Sequence, residues 1–256
     1  MKTTTLKAPP KRDALSGIAG NDDSFVTVPS GCADFLARAA HDLRSPLGVI
    51  AEVLPTLQHD LAGHLTEEHK AMFKLADRSL YRLRTFVDRM RLVADLELSE
   101  LSLICHPIPL GTAVQQAVDT MLTNEPRRGI TVYYEGGEMS SAVNADLAKV
   151  NQIISELLSN AMRHASSKVH VAIEKDQDEV KVIVEDDGPG LSKAEEHALF
   201  RRFVSRPSRN GLGIGLSLAR DLTRAHGGRL LYEKSKLPSF HGKGTGARFV
   251  VSLKAL

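Results

Sequence analysis

The chain contains two stretches of helical hydrophobic periodicity separated by a short polar break. In the first, apolar residues alternate spacings of four and three at Leu36, Ala40, Leu43, Leu47, Ile50, Leu54, Leu57 and Leu61. The second repeats this pattern at Phe73, Ala76, Leu80, Leu83, Val87, Met90 and Ala94. Such spacing is typical of coiled-coil packing. The break at 62–64, followed by a helix start at Thr66-x-x-His69, predicts an antiparallel helical hairpin.

A hairpin with one apolar seam per helix cannot bury both seams by itself. We therefore expect two copies of the chain to pack as a four-helix bundle, which makes the protein a homodimer. Pro46 and Pro55 fall inside the first helix, where each removes a backbone donor and predicts a bend, most relevantly near position 46.

Beyond Pro107 and Pro109, which we expect to close the hairpin, helical and strand-like patterns are mixed. The predicted helices are 110–124, 146–164 and 214–226, and the predicted strands are 130–134, 168–174, 179–185, 229–233 and 247–253. This order indicates a single α/β layer domain with antiparallel strand pairs. The chain thus divides into a flexible tail (1–30), a hairpin (31–104) and an α/β domain (105–256).

Composition narrows the classes of function. The 256 residues carry a formal net charge of +2, with basic residues spread along the chain, so neither a nucleic acid nor an anionic membrane is expected as a partner. No apolar run approaches the ~20 residues of a membrane span, and the start MKTTTLKAPPKR lacks the apolar stretch of a signal peptide. We expect a cytoplasmic protein without membrane insertion.

Candidate chemistry in the hairpin centres on His41. His41 and Ser45 lie four residues apart on the side of the first helix opposite the seam, so both should be exposed. Asp42 is placed to orient an imidazole or take its proton, and Pro46 opens the backbone one turn later. These residues alone fit an ordinary polar helix face equally well.

The α/β region contributes a helix with polar residues on one flank: Glu156, Asn160, Arg163 and His164. The amide oxygen of Asn160 is a suitable hard ligand for Mg²⁺, and Arg163 can pair with a phosphate. Taken alone, such residues are usually only solvated.

Two glycine-rich segments follow this helix. In EDDGPGL, Gly188 and Gly190 allow a ligand to approach the backbone, and Asp186 can accept a hydrogen bond from an exocyclic amine such as that of adenine. In the second segment Gly211, Gly213 and Gly215 precede a helix, a position suited to phosphate binding. Their spacing fits neither a Rossmann fingerprint nor a P-loop. Residues 192–210, which lie between these two segments, are predicted to form a mobile lid. This lid carries Arg201, Arg202, Arg206 and Arg209.

Taken in order, the segments HDLRSPL, SELLSNAMRHA, EDDGPGL, LFRRF, GLGIGL, AHGG and GTGARFVVSL resemble the boxes of the histidine protein kinases over residues 30 to 256. The resemblance implies an α + α/β protein. A dimerising, histidine-phosphotransfer hairpin would be followed by an ATP-binding α/β sandwich of the Bergerat type, which DNA gyrase shares.

The resemblance also implies a role for each box. His41 would accept the γ-phosphoryl group of ATP, with Asp42 as its orienting base, and pass it to the receiver-domain aspartate of a response regulator. Asn160 would hold Mg²⁺, Arg163 would contact phosphate, and His164 would lie against the nucleotide. Asp186 would recognise adenine, with Gly188 and Gly190 shaping the pocket. Gly211, Gly213 and Gly215 match the phosphate-side glycines, and Phe200 and Phe203 match the box that anchors the lid.

Three departures keep alternatives open. Glu156 stands where many of these kinases carry Asn, and the water-activating gyrase-type ATPases use Glu there, so an ATP-hydrolysing switch is one alternative. Ser45 stands where Thr or Asn often supports phosphatase activity, which leaves that activity open. No sensor or receiver segment is evident, so input would come from an upstream sensor protein, from the tail or from nothing. A phosphotransfer adaptor without ATP binding is a further alternative, which the intact Asn160, Asp186 and glycine boxes oppose.

Overall fold

The protein is described from a computed structural model over residues 30–124, 129–136, 142–202, 213–237 and 245–256. Residues 1–29 of the predicted tail lie outside this range. The described chain forms two compact units, one ending at Ser102 and the other beginning at Leu103.

The first unit is the predicted helical hairpin. It consists of α1 (Ser30–Asp60) and α2 (Glu67–Glu97). Thr66 caps α2: its side chain accepts from the His69 backbone N–H at 3.2 Å, and its own N–H donates to Nδ1 of His69 at 3.5 Å. This reciprocal capping box confirms the helix start expected from the sequence. The helix α1 continues through both Pro46 and Pro55.

The hairpin buries only part of its apolar pattern. Ala40, Leu47 and Val87 form the buried cluster, and the partly buried Leu80, Phe86 and Met90 pack against it. The rest of the α1 seam is not fully buried within one chain, which agrees with the expectation that a single hairpin cannot bury its seams by itself. Four of these seam residues keep between 42% and 48% of their surface exposed: Leu43, Ile50, Leu57 and Leu61.

The second unit contains four helices and two sheets among its described residues. The helices are α3 (Leu110–Asn124), α4 (Leu147–His164), α5 (Lys193–Ala198) and α6 (Gly215–Ala225). The strands are β1 (His106–Pro109), β2 (Thr131–Glu135), β3 (Ala142–Ala145), β4 (Lys168–Asp176), β5 (Glu179–Asp186), β6 (Arg229–Lys234) and β7 (Ala247–Lys254). The main sheet has the order β2-β4-β5-β7-β6, and β1 pairs with β3 separately. The expected helices and strands are confirmed, but β1, β3 and α5 were missed.

Two expectations about this unit are wrong. Pro107 and Pro109 do not close the hairpin, which ends at Glu97, but lie in β1. That strand pairs on one side only, so the missing proline donors are tolerated. The strand pairs are also not all antiparallel, because β2 runs parallel to β4. The connection between them includes β3 and α4, which is long enough for the chain to return in the same direction.

The core of this unit lies between the main sheet and the helices. Alternate residues of β4 and β5 are buried, including Val169, Val171, Val180, Val182 and Val184. Helix α4 packs against α3, α6 and β5. It is this packing that brings the polar residues of α4 near the carboxyl end of β5. Among the described residues, no helix is both long and apolar enough to cross a membrane.

Candidate active site

The hairpin places His41 on an open surface of α1. His41, Asp42 and Ser45 are all exposed, as the periodicity predicted. A depression of about 380 Å³ lies beside the imidazole, and its polar lining consists of Arg38, His41, Asp42, Arg91, Asp95 and Glu100. We refer to it as the His41 depression. The imidazole is therefore accessible to a second molecule or domain.

In the α/β unit, Asp186 ends β5 with a buried carboxylate that is 1% exposed. Its Oδ1 accepts the backbone N–H groups of Gly188 at 2.9 Å and of Ala247 at 3.4 Å. Its Oδ2 is buried and has no hydrogen-bond partner among the residues that the structure describes. Burial raises the pKa of this carboxyl from 3.8 to about 6, although the two backbone hydrogen bonds act to lower it. A buried acceptor without a partner is costly, so Oδ2 is well suited to a donor from a ligand.

Three glycines near the end of β5 lie where neighbouring backbone is too close for any Cβ; we call them the glycine cradle. They are Gly188, Gly190 and Gly246. A Cβ at Gly188 would lie 2.8 Å from Oδ1 of Asp186 and would collide with the carbonyl oxygen of His164. Gly190 has a φ of +71° and faces the Thr245 carbonyl, and Gly246 faces the Asp186 carbonyl. The sequence analysis quoted GTGARF without assigning it a role, and so missed Gly246 and the Ala247 N–H.

Asp187 is a second residue that the sequence analysis missed. Its carboxylate accepts from the backbone N–H groups of Ser166, Ser167 and Lys168 and from the Ser167 hydroxyl at 2.6 Å. Burial acts to raise the pKa of Asp187, but these hydrogen bonds outweigh it and hold the pKa below its usual value. Asp187 therefore fastens the segment after α4 to the end of β5. Its signal in the sequence was the second aspartate of EDDGPGL.

The polar residues of α4 separate into two environments. Asn160 and His164 are half-buried and Arg163 is exposed, which leaves all three accessible to a ligand. Glu156 does not share this flank, contrary to expectation, because α6 packs over it and leaves it 3% exposed. It accepts from Nε2 of Gln152 at 2.5 Å. A Cβ at Gly215 would lie 2.6 Å from Oε2 of Glu156, so this carboxylate faces the first residue of α6.

The expected phosphate-side glycines are described only in part. Gly213 has a φ of +65°, and Gly215 begins α6. Gly211 lies outside the described residues, as do Phe203, Arg206 and Arg209 of the expected lid.

The beginning of that lid contacts α6. Arg202 pairs with Asp221 at 2.8 Å, and the Arg220 guanidinium lies 5.5 Å from the centre of the Phe200 ring. In this structure the Arg202–Asp221 pair thus holds the 199–202 stretch on α6.

The donor set fits a magnesium nucleotide better than a metal held by protein alone. No group of three or more His, Cys, Asp or Glu side chains in the described part of the chain is arranged to hold a metal ion. Mg²⁺ commonly keeps several waters and is shared between one or two protein oxygens and the phosphates of a substrate. Asn160 can supply one such oxygen, and the unpartnered Oδ2 of Asp186 suits the exocyclic amine of a purine.

Comparison with protein families gives two matches in tandem. Residues 33–99 match the His kinase A phospho-acceptor domain, and residues 145–256 match the ATPase domain of histidine kinase, DNA gyrase B and HSP90. The first match contains the hairpin and the second contains the glycine cradle.

Individual relatives agree with these matches. The adaptive-response sensory kinase SasA of Synechococcus sp. (strain JA-3-3Ab) is 29% identical over 228 residues, which cover 86% of this chain and 59% of that protein. The sensor protein ChvG of Agrobacterium fabrum (strain C58) is 29% identical over 239 residues, covering 86% and 39%. The chain therefore spans about 59% and 39% of these relatives' lengths.

Solved structures share the fold. Full-length ShkA in complex with AMPPNP superposes with a TM-score of 0.63 at 21% identity, covering 87% of this chain and 46% of that one. The histidine kinase AdeS of Acinetobacter baumannii gives a TM-score of 0.52 at 19% identity, covering 84% and 97%.

A phospho-acceptor hairpin followed by a gyrase-type ATPase domain defines the class of this protein as a histidine kinase core. The chain belongs to the two-component sensor histidine kinase family.

Asp186 generates a prediction about pH. Its folded-state pKa of about 6 lies above the usual 3.8, so ionisation destabilises the fold above pH 6, and this penalty is lost as the pH falls through 6 toward 4. The free energy of unfolding of the wild type, relative to that of Asp186→Asn, should therefore rise by roughly 1 kcal/mol between pH 7 and pH 5, and most of the rest of the roughly 3 kcal/mol total should be recovered below pH 5. Urea unfolding at several pH values measures the difference. Replacement of the exposed Asp178 by Asn is the control, and an equal pH dependence for both variants would contradict the assignment.

Proposed function

We propose that this protein uses Mg-ATP to phosphorylate His41 and then passes the phosphoryl group to the aspartate of a response regulator. The observation that carries the proposal is the buried, unpartnered Oδ2 of Asp186 within the glycine cradle, in a chain that also presents an exposed His41. The first feature provides a purine site, and the second provides an acceptor on a separate helical unit.

The nucleotide site is built from α4, β5 and the glycine segments. Asp186 accepts the exocyclic amine of adenine, and the close packing of backbone on backbone in the glycine cradle fixes the end of β5 that carries this carboxylate. His164 lies against the nucleotide, while Arg163 and the turn through Gly213 to Gly215 contact the phosphates. Mg²⁺ brought by the nucleotide offsets phosphate charge, and Asn160 is the residue that would hold it.

The transfer step takes place at the imidazole of His41. A ring nitrogen attacks the γ-phosphorus in line, the bond to the bridging oxygen of ADP breaks, and a P–N bond forms. Asp42 orients the ring and receives its proton. Positioning and charge neutralisation account for most of the catalysis in such a step. The product is a phosphoramidate, which is reactive enough for transfer to a carboxylate, while Ser45, one turn later, leaves a phosphatase reaction open.

The partners follow from the same hairpin. A second copy is supported by the half-exposed seam residues Leu43, Ile50, Leu57 and Leu61, which another hairpin would cover. A receiver domain is the acceptor that suits a phosphorylated histidine on an open helix surface. An upstream sensor protein remains a candidate source of input.

Substitution of His41 provides the first test. His41→Gln should abolish labelling from γ-labelled ATP but leave folding and nucleotide affinity unchanged, because the side chain is exposed and contributes little packing. The matched control is His59→Gln on the same helix, also at an exposed position, which should be labelled like the wild type. Label retained in the His41 variant would disprove the assignment.

The oligomeric state provides the second test. Light scattering at micromolar concentration should give the mass of a dimer. Leu57→Lys should shift the equilibrium toward monomer, because it places a charge in the exposed seam. Thr56→Lys adds the same charge one residue away from the seam and should have little effect. A monodisperse wild-type monomer would rule out the dimer.

Glu156 separates the kinase from an ATP-hydrolysing switch. We expect Glu156→Gln to leave steady-state phosphate release as slow as in the wild type and His41 labelling only modestly reduced, because in this proposal the exposed His41 and Asp42 are the reacting pair. If Glu156 activated water, the same change would lower phosphate release by ~10²–10⁴-fold. Fast, Glu156-dependent turnover that persists in His41→Gln would establish the hydrolase instead.

A further inference from the structure

The His41 depression contains more charge than a phosphate acceptor requires. Besides His41 it is lined by two arginines, Arg38 and Arg91, and by three carboxylates, Asp42, Asp95 and Glu100. The role proposed for Asp42 accounts for one of these five groups. The other four groups lie next to the reacting imidazole, and no role has yet been assigned to them.

The helix register places one arginine on each side of His41. Arg38 lies three residues before His41 on α1, so the two side chains share a face one turn apart. Across the hairpin, Arg44 of α1 pairs with Asp88 of α2 at 2.9 Å. Because the helices run antiparallel, three residues back on α1 corresponds to three residues forward on α2. This register sets Arg91 level with His41.

Arg91 contacts a neighbouring carboxylate, and this contact leaves it able to bind another anion. Its Nε lies 3.6 Å from Oδ2 of Asp95, one turn further along α2. This is longer than the 2.7–2.9 Å or so of a strong charge-assisted hydrogen bond. A guanidinium has five donors in a planar fork, so the contact with Asp95 is compatible with binding a second anion.

Phosphorylation of His41 would change the electrostatics of the depression. A phosphoryl group carries up to two negative charges at neutral pH, and it would arrive beside Asp42, Asp95 and Glu100. Like charges at such short range oppose one another. Within the lining of this depression, Arg38 and Arg91 are the groups with the charge and geometry to offset that repulsion.

We propose that Arg38 and Arg91 form an oxyanion subsite that binds the phosphoryl group as it reaches His41. The proposal rests on the function proposed above, since it assumes that His41 is the acceptor. Asp95, whose Oδ2 lies 3.6 Å from Nε of Arg91, orients the Arg91 guanidinium before the phosphoryl group arrives. Both arginines contact the phosphoryl group directly in this account, and neither exchanges a proton.

The experiment bypasses ATP so that it reports on the subsite alone. Phosphoramidate, a small phosphoryl donor, is incubated with the full-length chain, and phosphohistidine at position 41 is followed over time. In this reaction the P–N bond to the amine of the donor breaks as a P–N bond to the His41 ring forms, and the ring proton leaves with ammonia. In the wild type the rate should saturate with phosphoramidate, and inorganic phosphate should compete.

The variants are Arg38→Gln, Arg91→Gln and Arg91→Lys, with the exposed Arg84→Gln of α2 as the matched control. Each Gln variant should lower the labelling rate by about tenfold, the loss expected for one charge-assisted contact, and should weaken competition by inorganic phosphate. Arg91→Lys should recover part of the rate, because it restores the charge without the fork. Arg84→Gln should behave like the wild type. Thermal unfolding and light scattering confirm that the variants keep their fold and oligomeric state.

The experiments distinguish failure of the oxyanion subsite from failure of the proposed function. If phosphoramidate labels His41 equally well in the wild type and in both Gln variants, with no competition by inorganic phosphate, the subsite is disproved while the kinase proposal stands. If ATP does not label His41 in the wild type, or labels His41→Gln as well, the proposed function itself is disproved.

Discussion

The α/β unit depends on the burial of one carboxylate, that of Asp186 at the end of β5. Removing this group from water is costly, and the protein compensates with backbone N–H groups at only one of its two oxygens. Those donors can reach Oδ1 only because Gly188 and Gly246 let the backbone come close. The adjacent Asp187 fixes the segment that follows α4 to the same strand end. The remaining oxygen is buried and, among the described residues, has no hydrogen-bond partner.

The hairpin combines apolar residues that are buried between its helices with apolar residues that remain exposed. Its helices share a small buried cluster, while several seam residues remain half-exposed in the single chain. The polar side carries His41 and the charged depression. Under the proposed function, phosphoryl acceptance and apolar association would therefore use different sides of the same helix, and a second hairpin could cover the seam without covering His41. This division also explains why the arginines that flank His41 do not take part in the buried cluster.

Local patterns predicted much of this architecture. The alternation of four and three residues predicted both hairpin helices, and Thr66-x-x-His69 predicted the start of α2, because such signals depend on neighbouring residues alone. The pairing of strands that lie far apart in the sequence was harder to predict. The short strands β1 and β3 contain too few residues for a periodic signal, and the prolines of β1 pointed away from a strand. The parallel pairing of β2 with β4 depends on a connection whose path the sequence does not specify.

The residues of the candidate site show the same difference between what the local sequence predicts and what only the fold reveals. Asp186, Gly188 and Gly190 were identified from the order of the boxes, but the unpartnered oxygen and the contribution of Gly246 and Ala247 required the fold. Glu156 was expected on an open flank because a helical wheel does not show which neighbour covers it. In the structure α6 buries it.

The central claim is that the γ-phosphoryl group of ATP becomes bonded to the imidazole of His41. The most direct test is to incubate the protein with γ-labelled Mg-ATP, divide the product between acid and alkali, and locate the modified residue by mass spectrometry of peptides kept at alkaline pH. The account predicts label that is lost in acid, retained in alkali and located at His41. Acid-stable label, or label on a residue other than His41, would contradict it.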